Sequence, residues 1–168
     1  MPNPANEDHA LAKYAQRIDH LGIAVRDLEE SLRFFTQVLG FCLVQRRETV
    51  GKRTGMISAE LKAGPISVVL LQGTSPDSQV SAFIDHYGPG VQHVAIAVDN
   101  IEASVEHLRN NGLCFDTSIV GDDNLKQIFS SRDAKSGLMI ELIQRTTSGF
   151  ADKNVSKLFE ELESHGSF

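Results

Sequence analysis

The chain has 168 residues, of which 41% are hydrophobic, and this is enough for one compact domain with an ordinary core. Its net charge is −6 and its basic residues do not gather into a block, which argues against a nucleic-acid partner. No apolar run approaches the roughly 18 residues of a membrane span, and the polar N-terminus lacks the apolar centre of a secretory signal. We therefore expect a cytoplasmic protein without a membrane partner.

The first part of the chain predicts a strand, a helix and three further strands. Apolar and small residues alternate in the first strand, and Asp27 is suited to cap a helix that Gly40 would end. The predicted elements are a polar lead-in at 1–16 with a helical turn near 10–15, a strand at 18–25, a helix at 28–38, and strands at 41–48, 56–61 and 66–72.

A connector at 74–90 ends at Gly88-Pro89-Gly90, and the same βαβββ order then returns. Its elements are predicted by the same periodicities of two and 3.6 residues. They are a short helix at 79–86 in the connector, a strand at 91–98, a helix at 101–111, strands at 114–118, 125–130 and 138–144, and a C-terminal helix that includes Leu158, Phe159 and Leu162, with Asn154 as its candidate cap.

The two parts are copies of one another. Residues 20–25 return as residues 93–98, an offset of 73 (93 − 20), and after one deletion the alignment continues at an offset of 72. The segment 66–72 then aligns with 138–144, so Val69 occupies the place of Glu141. The duplication thus keeps a His at the start of both copies, His20 and His93, but a carboxylate at the end of only one.

These three residues predict a metal site. One histidine on a strand is most often a core or surface residue. A pseudo-twofold axis that relates the two modules would, however, bring His20 and His93 onto one concave surface. Glu141 lies in an apolar strand, where an unpaired carboxylate would carry a large desolvation cost. Arg145 is the alternative partner, since it shares that face if the strand continues. Two imidazoles and one carboxylate suit an open non-haem Fe(II) site, and Zn(II), Co(II), Mn(II) or Ni(II) would also fit.

Cys42 and Cys114 are the only cysteines, and they fall at equivalent positions of the two copies. Each follows an apolar residue, which predicts two buried, reduced side chains in matching strands. A disulfide would be unusual in a chain with no export signal.

The modules and the three ligand positions resemble the vicinal oxygen chelate superfamily. Within it, residues 17–163 are similar to the C-terminal catalytic half of 4-hydroxyphenylpyruvate dioxygenase and its sister 4-hydroxymandelate synthase. The resemblance implies an α+β fold in which two tandem βαβββ modules, at 17–73 and 91–146, form one curved mixed sheet around a metal site, with a C-terminal helix within 147–168 closing the pocket. The markers are Ile18-Asp19-His20, Gly90-Val91-Gln92-His93, Gln127-Ile128-Phe129, Ile140-Glu141-Leu142 and Gly149-Phe150.

The same resemblance implies a function. His20, His93 and Glu141 would bind Fe(II), no further catalytic residue is expected, and the substrates would be O2 and a 2-oxo acid that chelates the iron through its carboxylate and keto oxygens. The family also has an additional N-terminal domain, which these 168 residues do not contain, and a homodimer is one candidate assembly.

Seven residues match family positions near the substrate. Gln92 and Gln127 match glutamines beside it, Phe129 matches a stacking aromatic, and Phe150 and Asn154 are expected on the closing helix. Where the family usually has phenylalanine, this chain has Met139 and Val155. With two fewer rings, the substrate is expected to be smaller or less aromatic than 4-hydroxyphenylpyruvate.

A metal-dependent epimerase or isomerase is the alternative, because residues 20–25 and 135–142 also resemble methylmalonyl-CoA epimerase. That enzyme takes a fourth ligand from the strand where this chain has Val69, and Gln72 could replace it only if the register slipped. Epimerisation also needs two bases, for which Glu48 and Glu60 are the candidates. A metal-free, resistance-type binding protein ranks last, since such proteins generally lack the three ligands.

Overall fold

The computed structural model describes residues 10–168, and one eight-stranded mixed sheet organises them. The strands are β1 Ala15–Ala24, β2 Cys42–Val50, β3 Gly55–Ala63, β4 Ile66–Gly73, β5 Gly90–Val98, β6 Val120–Asp122, β7 Leu125–Phe129 and β8 Met139–Arg145. The helices are α1 Ala10–Tyr14, α2 Leu28–Arg33, which continues as a π-helical turn at Phe34–Val38, α3 Gln79–Tyr87, α4 Ile101–Asn110 and α5 Asp152–His165. The predicted α+β class is confirmed, while residues 1–9 of the predicted lead-in lie outside the described part.

The strand order, β2-β3-β4-β1-β5-β8-β7-β6, shows the internal duplication in three dimensions. The first strands of the two modules, β1 and β5, are antiparallel neighbours at the centre, and each has the last strand of its own module, β4 or β8, as a parallel neighbour. Irregular pairing between β1 and β5 adds local twist, as β-bulges do. The sheet curls into a half-barrel with one concave face.

The convex face is covered by α2 and α4, one from each module. Leu28 and Leu32 of α2 are buried against Leu61 and Leu70 of β3 and β4. Helix α4 buries its own apolar stripe against module two, where Ile101 and Val105 pack on Ile128 and Leu142. The two helices therefore occupy equivalent places on the back of the sheet.

One glutamine from each module holds the start of these helices. Gln72 Oε1 accepts a hydrogen bond from the Leu28 N–H at 2.6 Å, and Gln144 Oε1 accepts one from the Ile101 N–H at 2.8 Å. Such bonds satisfy backbone donors that have no partner within the helix. This pair of glutamines confirms the offset of 72 residues between the two copies. Gln72 points away from the concave face, so the register slip that would make it a metal ligand does not occur.

Helix α5 covers the concave face and is tied to both modules. At its C-terminal end the buried Glu163 carboxylate accepts hydrogen bonds from the N–H groups of Lys52, Arg53 and Thr54 in the loop after β2. Burial opposes ionisation, but these bonds outweigh it and hold the pKa of Glu163 below its ordinary value. Beneath the helix, Leu158 packs into module two.

The predicted strand at 114–118 is wrong. Only an isolated bridge between Phe115 and Ser130 occurs there, and the edge strand is β6 instead. The Phe129 N–H, which a neighbouring strand could have accepted, donates to the Thr117 side-chain Oγ1 at 2.9 Å. Two backbone hydrogen bonds, from the Asp116 N–H to the Phe129 carbonyl and from the Ser131 N–H to the Cys114 carbonyl, surround the bridge, and regular pairing resumes only at β6.

Three smaller expectations also need correction. Both cysteines are exposed rather than buried, because Cys42 lies on the edge strand β2 and Cys114 lies in the irregular segment that replaced the predicted strand. Helix α5 is capped by Ala151, so Asn154 is a buried residue inside the helix and not its cap. Phe150 precedes the helix rather than lying on it. No helix within residues 10–168 has the length and apolarity needed to cross a membrane.

Candidate metal centre and substrate cavity

The central strands bring His20, His93 and Glu141 together on the concave face. Ala95 of β5 lies between His20 of β1 on one side and Glu141 of β8 on the other, and His93 lies opposite Gly22. All three side chains are buried, and one potential ligand atom of each lies within 4.8 Å of the others. The pseudo-twofold arrangement of the two modules thus brings together three residues that are far apart in the sequence.

Nitrogen and oxygen donors converge in this cluster. Glu141 Oε2 lies 3.1 Å from His20 Nε2 and 3.5 Å from His93 Nε2, and the two nitrogens are 3.4 Å apart. Two imidazoles and one carboxylate are donors that divalent metals such as Fe(II) and Zn(II) accept. The residues present therefore fit the metal that the sequence pattern suggests.

Each imidazole is oriented by an oxygen from the residue before it. His20 Nδ1 lies 3.0 Å from Asp19 Oδ1, and His93 Nδ1 is hydrogen-bonded to Gln92 Oε1. A proton on each Nδ1 leaves the Nε2 lone pair directed into the cluster, as a metal ligand requires. Sequence reasoning noted Asp19 within a motif but gave it no role.

Arg145 serves Asp19 and not Glu141. Its guanidinium donates to Asp19 Oδ1 at 2.9 Å and to the Gly149 carbonyl at 2.5 Å. The alternative in which Arg145 neutralises the buried Glu141 is therefore wrong. Burial opposes ionisation of Asp19, but its hydrogen bond to His20 and the charge of Arg145 outweigh it and lower the pKa of that carboxyl.

The charges of the three candidate ligands depend on one another. Burial acts against the charge of Glu141, yet the two histidines and a hydrogen bond from Gln127 keep its pKa below the ordinary value. Burial also acts against a charged His20, but Glu141 and Asp19 raise the pKa of His20 to about 9. Burial lowers the pKa of His93 to about 3. Without a metal, His20 therefore carries a second ring proton while His93 stays neutral, and metal binding would release that second proton from His20.

A hydrogen-bonded line connects Glu141 to the covering helix. Gln127 Nε2 donates to Glu141 Oε1 at 2.8 Å, which leaves Oε2 for the histidines. Asn154 Nδ2 donates to the Leu125 carbonyl at 3.1 Å and lies 3.4 Å from Gln127 Oε1. Gln127 thus orients the candidate ligand Glu141, and Asn154 of α5 holds Gln127 from behind.

Gly22 and Val69 explain how module one differs at the centre. A Cβ on Gly22 would lie 2.0 Å from the His93 ring, so only glycine lets that imidazole lie across β1. Val69 is the partner of Gly22 in the β1–β4 ladder, just as Glu141 is the partner of Ala95 in the β5–β8 ladder. Module one therefore presents an apolar side chain at the position where module two presents its carboxylate.

A cavity of about 90 Å³ adjoins the three candidate ligands beneath α5. Five of the predicted substrate-site residues lie on its wall: Gln92, Gln127, Phe129, Phe150 and Val155. The Phe150 ring meets the His20 ring edge to face at 5.0 Å, and the Phe129 ring meets the His93 ring at 5.1 Å. Asn154 lies behind Gln127 rather than on the wall, and Met139 is fully buried against Phe129 and Leu158.

Sequence reasoning missed the wall that module one contributes. It includes Arg47 on β2 and Ser58 on β3, and the connector adds Gln79 at the start of α3. The alternation of side chains along β2 places Arg47 inward and its neighbours Arg46 and Glu48 outward. This two-residue alternation was the sequence signal from which the position of Arg47 could have been predicted. Its use required knowing which face of β2 is concave.

Neither proposed epimerase base lines the cavity. Glu48 is exposed, and Glu60 is buried near Lys62, with 3.2 Å between its Oε1 and the Lys62 Nζ. In the part of the chain that the structure describes, Glu141 is the one carboxylate on the cavity wall.

Comparison with known proteins gives a family and several relatives. The family model described as "Glyoxalase/Bleomycin resistance protein/Dioxygenase superfamily" matches residues 17–142. The chain is 29% identical to 4-hydroxyphenylpyruvate dioxygenase of Pseudomonas aeruginosa over 185 residues, covering 87% of this chain and 51% of that protein, so it spans about half the length of this relative. It is 30% identical to mitochondrial methylmalonyl-CoA epimerase of Mus musculus over 132 residues, covering 76% of this chain and 72% of that protein.

A solved structure shows the same fold. A mutant of 4-hydroxymandelate synthase from Streptomyces coelicolor superposes with a TM-score of 0.82 at 23% identity, covering 91% of this chain and 55% of that one. At this level of identity the match concerns the fold alone.

Proposed function

Because the chain belongs to the glyoxalase/bleomycin resistance protein/dioxygenase superfamily, we propose that it is a non-haem Fe(II)-dependent dioxygenase acting on a 2-oxo acid. One observation carries the proposal. Three buried ligands converge from both modules, while Val69 occupies the place from which a fourth would come. A three-ligand site leaves open positions for a chelating substrate and for dioxygen.

His20, His93 and Glu141 would hold the metal, with His20 giving up the proton that Glu141 and Asp19 stabilise on it. When bound, Fe(II) would supply adjacent open positions for a 2-oxo acid and dioxygen and would relay electrons to dioxygen, the net electrons coming from the oxo acid as it is oxidised and loses CO2. Asp19 and Gln92 fix the imidazoles, and Gln127 keeps Glu141 turned so that Oε2 faces them. These bonds preorganise the site before the substrate arrives.

The remaining wall residues would position the substrate and exclude water. Phe129 and Phe150 cover the two histidines, and α5 closes the cavity above them. A dry site strengthens every electrostatic interaction within it and protects reactive species from solvent.

The same observations count against epimerisation. That reaction removes a proton and returns it from the opposite face, which needs two bases near the substrate carbon. Within residues 10–168 the cavity wall offers no carboxylate besides Glu141, which would be a metal ligand. The likeness to methylmalonyl-CoA epimerase is then a likeness of scaffold.

The cavity supports a substrate smaller than 4-hydroxyphenylpyruvate. Val155 faces the cavity where a ring is usual in the resembling family, and Met139 is buried in the layer behind Phe129. The aromatic contact missing at Val155 would weaken a phenyl substrate by roughly 0.5–1.5 kcal/mol, whereas Met139 lies too deep to contact the substrate. We expect aliphatic 2-oxo acids to be preferred.

The test is oxygen consumption by protein reconstituted with Fe(II) under anaerobic conditions. A panel of aliphatic and aromatic 2-oxo acids should include at least one that gives stoichiometric uptake of O2 and release of CO2. The His20→Ala protein, prepared in the same way, should show neither. Deuterium exchange from solvent into an acyl-CoA, at full rate with Co(II) and without oxygen, would instead establish the epimerase.

A further inference from the structure

Arg47 is the cationic side chain of the cavity wall that the metal site does not use. It lies on β2 opposite Ser58 of β3, and only 8% of its side chain is exposed. Nearly complete burial of a guanidinium is costly unless its donors and charge are matched. The binding partners of Arg47 therefore determine what this part of the cavity can accept.

The partners within the chain leave Arg47 incompletely matched. Its Nε donates to Asp152 Oδ1 at 2.5 Å, and its Nη2 reaches the Phe150 carbonyl at 3.3 Å, which is long for a hydrogen bond. Among residues 10–168 no acceptor bonds to Nη1. The Asp152 side chain is 77% exposed, and ion pairs with so exposed a partner contribute little. A guanidinium carries five N–H donors, so a second anion can be accommodated.

Phe150 connects Arg47 to the metal ligands. The Arg47 guanidinium carbon lies 5.9 Å from the centre of the Phe150 ring, and the His20 ring lies 5.0 Å from the same centre. The distance from guanidinium to imidazole therefore cannot exceed the sum of these two. A short chain that is anchored at the metal and extends past Phe150 would end at Arg47.

The geometry points to Arg47 as the residue that binds an anionic group at the far end of the substrate, and hence to a 2-oxo dicarboxylic acid as the substrate class. The inference rests on the proposed function for the end of the substrate that meets the metal. A carboxylate inside the cavity would receive two charge-assisted hydrogen bonds from the planar guanidinium, in surroundings drier than those of Asp152. The apolar walls between the two ends suit the methylene groups of such a substrate.

A matched pair of ligands tests the inference. 2-Oxopentanedioate and 2-oxopentanoate have the same chain length and differ in the distal carboxylate. In anaerobic calorimetry with the Fe(II)-loaded protein, the diacid should bind about tenfold or more tightly than the monoacid, as expected for hydrogen bonds between charged groups. Arg47→Met should bring the ratio of the two dissociation constants close to one, and Arg47→Lys should retain part of it.

Two further variants refine the comparison. Arg46→Met is the control, because Arg46 points to the other side of β2, where it pairs with Glu29, and its side chain is 51% exposed. It should keep the ratio of the unmodified protein. Asp152→Asn removes the competing carboxylate and should increase the preference for the diacid. If Arg47→Met fails to fold, the Arg47→Lys and Asp152→Asn proteins decide the question.

The outcomes separate this inference from the proposed function. An unmodified protein with no preference for the diacid, or a preference that survives Arg47→Met, would overturn the role of Arg47. An unmodified protein that binds neither 2-oxopentanedioate nor 2-oxopentanoate would also overturn the role of Arg47. An Arg47-dependent preference without oxygen uptake would retain this role and reject the dioxygenase. The same measurement with pentanedioate and pentanoate, which lack the keto oxygen, shows whether the preference depends on chelation.

Discussion

The two modules share their scaffold bonds but differ where they face the cavity. Gln72 and Gln144 hold the starts of equivalent helices with equivalent hydrogen bonds. On the concave side, module one has Val69 at the position equivalent to Glu141. It also has Ser58, the ladder partner of Leu71, at the position equivalent to Gln127. The two copies thus share the contacts that build the fold and differ in the residues of the candidate site.

Because of this difference, the two modules contribute different residues to the candidate site. Module two supplies the carboxylate and the glutamine that orients it, and each module supplies one histidine. Module one supplies the apolar Val69 and, further out, Arg47. A fully symmetric pair of modules would offer two carboxylates and fill one more metal position, so in the proposed site Val69 is what would leave that position open.

The largest effect is expected from removing the carboxylate of module two. Glu141→Ala should lower the metal affinity by more than the ~10–100-fold typical of changes to supporting residues, because it removes a ligand itself. Val69→Ala, the matched change in module one, should leave the metal content at one per chain. Titration of metal-free protein with Fe(II) under anaerobic conditions measures both, and equal losses in the two variants would refute the asymmetry.

Restoring the symmetry is expected to close the site. Val69→Glu places a carboxylate opposite Gly22, as Glu141 lies opposite Ala95. The metal should then bind at least as tightly, while oxygen uptake with a 2-oxo acid should fall by about tenfold or more, since an open position is lost. Unchanged oxygen uptake, with a metal that still binds, would show that Val69 does not face the metal.

Removing the support of Glu141 should have an intermediate effect. Gln127→Leu removes the 2.8 Å hydrogen bond to Oε1, and the metal affinity should fall by about 10–100-fold. Ser58→Ala, at the corresponding position of module one, should not change it. Competition with a coloured chelator measures both affinities under the same conditions.

The Glu163 contact between α5 and the loop after β2 should affect stability rather than metal binding. Glu163→Gln should reduce the free energy of unfolding by about 1–3 kcal/mol, because hydrogen bonds to a charged acceptor are weakened. The folded-state pKa of Glu163 is lowered, so its stabilisation is present above the ordinary value of 4.5 and is lost as the pH falls through the folded pKa. Urea denaturation of the unmodified protein should show this acid dependence, and the variant should show less of it.

The smallest effects should be equal in the two modules. Gln72→Ala and Gln144→Ala each leave one helix N–H without its acceptor, at a cost of about 1 kcal/mol. Thermal unfolding should show similar decreases, and the metal content should not change. A much larger effect of one substitution would mean that the scaffolds are less symmetric than their hydrogen bonds indicate.

The parts of the fold that the sequence predicted depend on repetition. The offset between residues 66–72 and 138–144 correctly placed Val69 and Glu141 in matching ladders, because strand register follows from the hydrophobic pattern. The strand expected at 114–118 is reduced to one bridge, beyond which the Phe129 N–H bonds to the Thr117 side chain, a long-range contact without a local signal. Cys42 was misjudged because a residue pattern does not reveal that its strand is an edge.

The site was predictable only in part for the same reason. Repeat alignment brings the three ligands together, but the inward direction of Arg47 depends on the curvature of the whole sheet. The positions of Met139 behind Phe129 and of Asn154 behind Gln127 depend on how α5 packs. Such contacts join distant parts of the chain, so they are determined by the assembled layers.

A crystal structure of Fe(II)-loaded protein with anomalous scattering recorded at the iron edge tests the central claim most directly. We expect one anomalous peak per chain, at about 2.0–2.2 Å from His20 Nε2, His93 Nε2 and a Glu141 oxygen, with no other protein ligand. A peak elsewhere, or a metal with a fourth ligand from module one, would contradict it.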